Sequence, residues 1–422
     1  MNKNDLLLFK NDNVGFASVV SFSASEHTTW YVNSRGELYG CGRNDYGQQG
    51  SGTTTNVGEF TKRADNVAKV KATNTTTWYL TNDGELYGCG LNSNGQQGSG
   101  DTENVLTFTK RATEVDMFDA SEKTTIFSKG LDVYLCGAGN RGQQANGSTN
   151  DVKNFTKRDT SPSTILKVIA LDEISIYVYL SGDSYFYPRV CGANSYSQLG
   201  IYNTTDQKIF KTGNRYIFQS LSYDVELKRY FSVSNFTQSG RSVVYPSKFL
   251  ICGRNDYGQK FLGNTESSTS ASTIQTVNVY LADFSSFRLD TSYTDGGVYA
   301  VGRNNYGQLG TGTTDNTVEG VRVFEGTTIV DTMVIPTNST TWLLNMGTLY
   351  GCGRNDRGQQ GSGGTDNVLS FVQRASAVSD VKATELTTWY INSRGELLGC
   401  GDNTYGQQGG GGSYVSTFTK RS

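Results

Sequence analysis

Tyr39-Gly-Cys-Gly-Arg-Asn-Asp-Tyr-Gly-Gln-Gln-Gly50 is a stretch that this chain contains eight times in recognisable form. The other seven copies begin at Tyr87, Tyr134, Arg189, Leu250, Tyr299, Tyr350 and Leu398. Measured at the Cys position, successive copies are 48, 47, 55, 61, 49, 51 and 48 residues apart. Self-similarity at a nearly fixed period predicts a repeat architecture in which each copy forms one structural unit.

The second copy shows what one unit contains. Period-two alternation, β-branched residues and aromatic residues predict four strands, at Val67–Ala72, Thr76–Leu80, Glu85–Cys89 and Phe108–Arg111. A turn at Asn82–Gly84 and a Gly/Asn/Gln loop over 90–100 separate them. Four antiparallel strands in each repeat are typical of a propeller blade. We therefore predict an all-β chain forming one β-propeller of four-stranded antiparallel blades. The motif count predicts eight blades, and seven blades with one displaced repeat is the alternative.

The domain organisation follows from the same spacing. We predict an N-terminal strand-like segment at 1–13 and a propeller at 14–422, with repeats of approximately 14–64, 65–112, 113–158, 159–211, 212–274, 275–325, 326–375 and 376–422. The last repeat has its own outer strand at 418–421, so ring closure is expected to depend on packing between the first and last blades. The segment 6–9 adds to a blade edge or docks into another subunit, and the insert at 202–241 binds a partner or bridges blades.

All seven cysteines occupy the same repeat position: Cys41, Cys89, Cys136, Cys191, Cys252, Cys352 and Cys400. Val301 occupies it in the sixth copy. Equivalent positions in neighbouring blades are a blade width apart, whereas a disulfide requires Cα atoms within about 7 Å. The chain has no CxxC pair or Cys/His cluster. We therefore predict free, buried, structural cysteines and no bound metal or cofactor.

Charge and hydropathy restrict the partners. The formal net charge is −2, which favours neither nucleic acid nor anionic lipid. No apolar run reaches the roughly 18 residues that span a bilayer, and no signal-peptide pattern begins the chain. We predict a soluble protein, cytoplasmic or virion-associated, that uses no membrane. The recurring Phe-Thr-Lys-Arg motif could form a basic rim, but we favour an inward Phe with charges that protect an outer strand edge. No specific nucleic acid partner is therefore predicted.

No motif indicates an enzyme. The chain has no Gly-x-Ser-x-Gly elbow, metal-ligand cluster or Cys/His pair. A phosphate-cradling role for the Gly-rich loops lacks the helix and the Lys-Ser/Thr that such loops require. We predict a non-enzymatic protein with no small-molecule substrate.

The pattern of a Thr-Thr strand, a Gly turn and Tyr-x-x-Gly-x-Asn-x-x-Gly-Gln-x-Gly resembles the regulator of chromosome condensation repeat family over about residues 14–422. The resemblance implies a propeller, usually seven-bladed and usually with Trp where this chain has Cys. It also implies a loop face that grips another protein. Founding members act as exchange factors for a small GTPase and dock on nucleosomes, while others are photoreceptors, ubiquitin-ligase modules or inhibitors of a β-lactamase.

The resemblance places partner-facing side chains in the short loop before the second strand. In this chain the loop positions are Glu26-His27, Asn74-Thr75, Glu122-Lys123, Glu173-Ile174, Asn338-Ser339 and Glu385-Leu386. Of these, we take Glu26, His27, Lys123 and Glu385 as candidate partner-binding residues. The family's His survives only as His27, and the basic tail that would dock on nucleosomes is absent from 1–13. We interpret His27 as a strand-opening hydrogen-bond residue and not as a catalyst.

A second candidate surface consists of the residue before each Gly-Gln pair. The candidates at this position are Tyr46, Arg141, Tyr196, Tyr257, Tyr306, Arg357 and Tyr405. Tyr and Arg are enriched at binding hot spots. Two interpretations stay open: a ring of partner-binding side chains, or a set of rings that pack onto the next blade.

Two functions follow. We predict an interaction or structural propeller that presents loop faces to protein partners, as a subunit of a larger assembly such as a virus or phage particle. The alternative is a guanine-nucleotide exchange factor or regulator of a small GTPase.

Overall fold

The computed structural model describes residues 17–182, 186–195, 199, 203–212, 232–234, 248–253, 257, 268–275, 278–281, 284–290, 296–325 and 332–421. In this part of the chain, β-strands form eight sheets, seven with four strands and one with three. Neighbouring strands pair antiparallel, as in β2 with β3 of the first sheet. The predicted all-β fold is confirmed. No helix in the described ranges is long and apolar enough to cross a membrane.

Each sheet is formed by one continuous segment of chain. The first four sheets contain β1 (Val19–Ala24), β2 (Thr28–Asn33), β3 (Leu38–Gly42) and β4 (Val57–Ala64); β5 (Val67–Ala72), β6 (Thr76–Thr81), β7 (Leu86–Gly90) and β8 (Val105–Ala112); β9 (Met117–Ala120), β10 (Thr124–Lys129), β11 (Asp132–Gly137) and β12 (Val152–Thr160); β13 (Ile165–Ala170), β14 (Ile174–Leu180), β15 (Phe186–Gly192) and β16 (Gln207–Thr212). The last four contain β17 (Ser232–Ser234), β18 (Lys248–Gly253) and β19 (Ser268–Gln275); β20 (Asn278–Leu281), β21 (Ser285–Asp290), β22 (Gly297–Gly302) and β23 (Thr317–Glu325); β24 (Thr332–Pro336), β25 (Thr340–Asn345), β26 (Thr348–Gly353) and β27 (Val368–Ala375); β28 (Val378–Ala383), β29 (Thr387–Asn392), β30 (Leu397–Asp402) and β31 (Tyr414–Lys420).

The sheets are blades arranged in a ring, numbered 1 to 8 here in chain order. Where first strands are described, each contacts the first strand of the next blade, in the series β1, β5, β9, β13 and in the series β20, β24, β28, β1. These first strands are therefore innermost, and the fourth strand of each four-stranded blade lies outermost. In blade 5, β17 pairs with the Cys-bearing strand β18 and is therefore the second strand of that blade. The contact between β28 and β1 closes the ring between the last blade and the first.

The second strand of each blade is covered on both faces because it lies between two neighbouring blades. All six residues of β2 are buried. The chain's four Trp residues lie on such strands and are fully buried. Each contacts a Phe from the outer strand of the next blade, with ring centroids 5.7 to 6.3 Å apart, in the pairs Trp30–Phe108, Trp78–Phe155, Trp342–Phe418 and Trp389–Phe60. The Phe of Phe-Thr-Lys-Arg therefore faces the interior, as predicted.

The Lys of the same motif pairs with a carboxylate of its own blade. The ion pairs are Lys62–Glu37 at 2.7 Å, Lys110–Glu85 at 2.8 Å, Lys157–Asp132 at 2.7 Å and Lys420–Glu396 at 2.9 Å. The motif Lys on each of these four outer strands is therefore a paired charge.

Six of the seven cysteines lie free and buried, and the side chain of Cys252 is outside the described residues. Each thiol donates to the backbone carbonyl of the Gln that directly follows Gly in the motif of the preceding blade. Examples are Cys89 to Gln48 at 3.4 Å and Cys136 to Gln96 at 3.2 Å. Cys41 makes the same bond to Gln407 across the closing junction. Burial raises the pKa of these thiols, so they remain neutral. Val301 is equally buried in blade 6.

We expect Gly40→Ala to destabilise the protein by about 2 kcal/mol or more, because a Cβ there would lie 2.4 Å from the buried Trp30 ring. Gly58→Ala is the matched control, since a Cβ at this position meets nothing within 4 Å. We expect the control to change stability by about 0.5 kcal/mol or less. Urea unfolding measures both. Equal effects would show that packing against Trp30 does not explain why Gly occupies this position in four of the eight copies.

Candidate functional site

Both predicted partner-binding surfaces lie on one face of the ring. In an antiparallel meander, the loop between strands one and two and the loop between strands three and four lie at the same end of the blade. We call this end the motif face, because it carries the Gly-Gln loops. The opposite end, here the turn face, carries the connections between strands two and three and between successive blades.

Each Gly-Gln loop is locked from within, as blade 1 illustrates. The Asn44 side chain donates from Nδ2 to the carbonyls of Thr53 at 2.8 Å and Thr55 at 3.0 Å, and its Oδ1 accepts from the Gln49 amide at 2.8 Å. Gly47 has a φ of 82°, which favours glycine. The loop is therefore a rigid platform whose shape its own side chains fix.

The two Gln residues have different roles. The first reaches the next blade, with Nε2 donating to a loop carbonyl in the pairs Gln48–Asn74 at 3.0 Å, Gln96–Glu122 at 3.1 Å, Gln143–Asp172 at 3.1 Å, Gln308–Asn338 at 3.1 Å, Gln359–Glu385 at 3.2 Å and Gln407–Glu26 at 3.0 Å. The second donates to its own blade, as in Gln49 to the Cys41 carbonyl at 2.9 Å. The first Gln thus joins blades, and the second closes the loop.

The Tyr residues before Gly-Gln contact the following blade. The Tyr405 ring meets His27 edge-on at 5.0 Å, and the Tyr257 ring meets Phe284 in the same way at 5.5 Å. His27 and Phe284 both precede the second strand of their blades. The packing interpretation therefore holds at these two junctions. Tyr405 and Tyr257 are each half-buried, so part of each ring also reaches solvent.

Together with the Tyr rings before Gly-Gln, the arginines that follow Gly-Cys-Gly form a layer of side chains on the motif face. The Arg43 guanidinium lies 5.3 Å from the Tyr405 ring and 5.4 Å from the Tyr46 ring, so it bridges the closing junction. Arg354 lies 5.6 Å from the Tyr306 ring of the preceding blade. Cation–π contacts of this kind stabilise a surface layer by roughly 0.5–1 kcal/mol each.

The two Arg candidates differ in their partners. Arg141 pairs with Asp206 of the next blade at 3.2 Å and donates to Ser195 at 2.9 Å. Arg357 is exposed, and its Nε lies 4.0 Å from Asp402 of the next blade. Tyr196 lies outside the described residues.

Sequence reasoning missed the residue after Gly-Cys-Gly, although the sequence contains a signal for it. In three copies this residue contacts the candidate that precedes Gly-Gln in the preceding blade. Arg43 contacts the Tyr405 ring, Arg354 contacts the Tyr306 ring, and Asp402 lies beside the oppositely charged Arg357. Comparing each copy with the next, and not only with its equivalents, would have revealed the pairing.

The loops before the second strands of neighbouring blades form hydrogen bonds with each other. The Asn74 amide donates to Glu122 Oε1 at 2.6 Å, and the Thr75 hydroxyl bonds to the same carboxylate. The Asn338 amide donates to Glu385 Oε1 at 2.6 Å. Burial raises the pKa of Glu385. The Glu385 carboxylate therefore acts between blades.

The remaining loop candidates have different surroundings. The Glu26 amide donates to Asn74 Oδ1 at 3.0 Å, while Lys123 is exposed. One assigned loop position was wrong by one residue. In blade 4 the Leu171 amide bonds to the Ile174 carbonyl, as Ser25 bonds to Thr28 in blade 1. The loop pair is therefore Asp172-Glu173, because Ile174 replaces the Thr that starts the second strand in blades 1, 2, 3, 7 and 8.

His27 is held neutral. Burial lowers its pKa, and the Arg43 charge lowers it further, against the opposing charges of Asp402, Glu122 and Asp45. Its Nδ1 is buried and makes no hydrogen bond within the described part of the chain. No group of three His, Cys, Asp or Glu that could hold a metal ion occurs among the residues described. The motif face thus offers aromatic, guanidinium and amide groups, which suit recognition of another protein surface.

Comparisons with known proteins agree with the repeat and the fold. Two family models described as Regulator of chromosome condensation (RCC1) repeat match residues 295–331 and 67–96. Yeast RCC1 (Prp20) bound to Kap60 is similar in fold with a TM-score of 0.55 at 13% identity, covering 98% of this chain and 86% of that one.

Two further structures share the fold. Prp20p from Saccharomyces cerevisiae, described with its binding properties to Gsp1p and histones, has a TM-score of 0.55 at 14% identity over 93% of this chain and 87% of that one. Human WBSCR16 has a TM-score of 0.52 at 16% identity over 87% and 85%. At these identities the likeness shows the fold alone.

We expect stability to fall as pH drops below about 6.5, the ordinary pKa of His. The folded state lowers the His27 pKa, so between that value and 6.5 the unfolded chain binds more protons. His27→Phe is the control, because Phe284 makes the corresponding ring contact in blade 6. In thermal unfolding measured from pH 7.5 to 5.5, the Tm of the variant should rise relative to the Tm of the wild type as the pH falls. A constant difference in Tm would contradict the assignment to His27.

Proposed function

We propose that this RCC1-type β-propeller is a non-enzymatic protein that binds a protein partner with its motif face. The observation that carries the proposal is the layer of half-exposed Tyr and Arg side chains at equivalent loop positions, including Tyr46, Tyr306 and Tyr405. Such residues dominate binding energy when they are held in place before the partner arrives.

Preorganisation is what the inter-blade contacts supply. Arg43 is fixed by two rings and by Asp45, to which its Nε donates at 2.7 Å. Arg354 is fixed by Tyr306 and by Asp356 at 2.6 Å. A partner would therefore order few side chains on binding, which reduces the entropic cost of association.

The candidate residues differ in how freely they can face a partner. Glu385 already bonds to a neighbouring blade, so its replacement would disturb the ring as well as any binding. Arg357 and Lys123 are exposed on the motif face. These two residues are the best probes of binding, because changing them leaves the blade junctions largely intact.

The identity of the partner has two candidates. Regulation of a small GTPase is supported by the RCC1 repeat matches and by the fold shared with Prp20p, whose described binding properties include Gsp1p. A structural role in a virus or phage particle has only the Thr/Asn/Tyr-rich composition in its favour. We therefore place the GTPase regulator ahead of the virion component, which reverses the order drawn from sequence.

Charge reversal on the two faces tests the binding face. We expect Lys123→Glu with Arg357→Glu to weaken partner binding by about tenfold or more, as removing hot-spot contacts does. Arg35→Glu with Arg394→Glu is the matched control, since it makes the same charge change on exposed turn-face residues. Affinity capture followed by titration of the captured partner measures both. Loss caused by the turn-face pair alone would reject the motif face.

Nucleotide release tests the nature of the partner. A panel of small GTPases loaded with fluorescent GDP is mixed with the full chain, and release is followed over time. Accelerated release from one member, lost in the motif-face variant, supports the GTPase regulator. No acceleration from any member, together with motif-face capture of another protein, would reject that regulator and keep the binding proposal.

A further inference from the structure

At each described blade junction, a residue near the start of the outer strand lies beside the Gly of the preceding blade's Gly-Gln pair. A Cβ on Gly47 would lie 2.6 Å from Leu106 Cδ2, where blade 1 meets blade 2. A Cβ on Gly307 would lie 2.6 Å from Leu369 Cδ2, where blade 6 meets blade 7. Both glycines directly follow a candidate tyrosine in the sequence. Leucine therefore covers the base of these two tyrosine loops.

The closing junction, between blades 8 and 1, has no side chain at this place. Gly58 occupies the position on β4 where blades 2 and 7 have leucine, and a Cβ on Gly406 would lie 2.6 Å from the Gly58 Cα. Gly406 is only half-buried, whereas the equivalent glycines of the five other described junctions are buried: Gly47, Gly95, Gly142, Gly307 and Gly358. A notch therefore opens beside Tyr405, the candidate tyrosine that precedes Gly406.

A backbone hydrogen bond is missing at the same place. At the five other described junctions, a Gly amide of the loop donates to the carbonyl of this outer-strand residue at 2.8 to 2.9 Å, in the pairs Gly52–Leu106, Gly100–Lys153, Gly147–Lys208, Gly312–Leu369 and Gly363–Ser416. Within the described ranges, no loop amide of blade 8 donates to the Gly58 carbonyl. The blade 8 loop is also shorter, since Gly401 pairs with Val415 over 14 residues and the corresponding pairs of the other blades span 15. The edge of β4 is therefore open where every other described junction is closed by a loop.

The walls of the notch are held in place before a partner arrives. The Tyr405 ring is half-buried and contacts the His27 ring at 5.0 Å and the Arg43 guanidinium at 5.3 Å. The floor is the backbone of Gly406 and Gly58, and Gly58 is exposed. A Cβ at Gly58 would meet nothing within 4 Å, so the space above β4 is open. An occupant would therefore order few groups of the protein on binding.

We propose that the notch formed by Gly58, Gly406 and Tyr405 binds a leucine or similar aliphatic side chain of the protein partner. The side chain is carried on an extended segment whose backbone amide donates to the Gly58 carbonyl. The other junctions of the ring are the template, because leucine fills the equivalent place in blades 2 and 7 and an amide bonds to the equivalent carbonyl. Extended segments of partners add to open strand edges in this way. Because the notch lies on the motif face, this inference rests on the proposed binding function and adds the chemistry that the partner presents.

Selection of a displayed library of random linear peptides on the immobilised full chain tests the notch. We expect the enriched peptides to share a leucine or isoleucine within a stretch that favours extended backbone. Gly58→Leu fills the notch from within and should weaken binding of an enriched peptide at least tenfold, as measured by fluorescence anisotropy. Ser416→Leu is the matched control, since it adds the same side chain at the equivalent outer-strand position of blade 8, and it should change the affinity less than twofold. Gly58→Val replaces Gly58→Leu if the leucine variant does not fold.

Four results would overturn the proposal. The first two are the absence of any enriched peptide and equal binding of the enriched peptides by the wild type and Gly58→Leu. Tighter peptide binding after deletion of residues 1–16 would assign the notch to the chain's own N-terminal segment. A dimer of the wild type that Gly58→Leu abolishes, as measured by light scattering, would assign it to a second copy of the chain.

The charge-reversed variant Lys123→Glu with Arg357→Glu separates failure of the notch from failure of the binding face. If this variant weakens capture of the partner and Gly58→Leu does not, the notch is rejected and the motif face is kept. If Gly58→Leu abolishes peptide binding and the charge reversal leaves partner capture unchanged, the notch is supported and the wider binding face is rejected.

Discussion

The ring depends on the contacts made by the Gln that directly follows Gly in each copy of the motif. In blade 1, the Gln48 carbonyl accepts the Cys89 thiol at 3.4 Å, its Nε2 donates to the Asn74 carbonyl at 3.0 Å, and its Oε1 accepts the Tyr46 amide at 2.9 Å. One buried residue therefore joins two blades and fixes its own loop. Leaving these buried groups unpaired would cost the full desolvation penalty, which explains why the residue repeats with so little variation.

The same contact explains how the ring closes without exchanging a strand. Gln407 repeats both bonds with Cys41 and Glu26, and the Val19 amide donates to the Gly395 carbonyl at 2.8 Å. The Val67 amide makes the corresponding bond to Gly36 within the chain. Closure is thus one more copy of an internal junction. Because each blade is a continuous segment, stability is expected to approximate a sum of blade and junction contributions.

Features that lie within one repeat could be predicted from the sequence. Contacts between two repeats could not. The strand at Val67–Ala72 followed from period-two alternation, and the buried cysteines followed from their shared position in the repeat. The contact of Arg43 with Tyr405 did not, because it exists only once the ring closes. The blade 4 loop was misplaced because Ile174 stands where five other blades have Thr. Local propensity defines a strand, but only neighbouring blades define its partners.

Complementary pairs across junctions also separate the structural part of the motif face from the part that can vary. Tyr405 with Arg43 and Tyr306 with Arg354 are cation–π pairs, whereas Arg357 faces a carboxylate. A change on one side of a cation–π pair therefore requires a matching change on the other, so these two pairs cannot adapt freely to a partner, whereas the exposed Arg357 at 4.0 Å from its carboxylate can. Exposed residues beside these pairs, which make no contact across a junction, can adapt to a partner. Specificity on this face is therefore expected to come from residues beside the paired layer, with the layer itself supplying a rigid aromatic and cationic base.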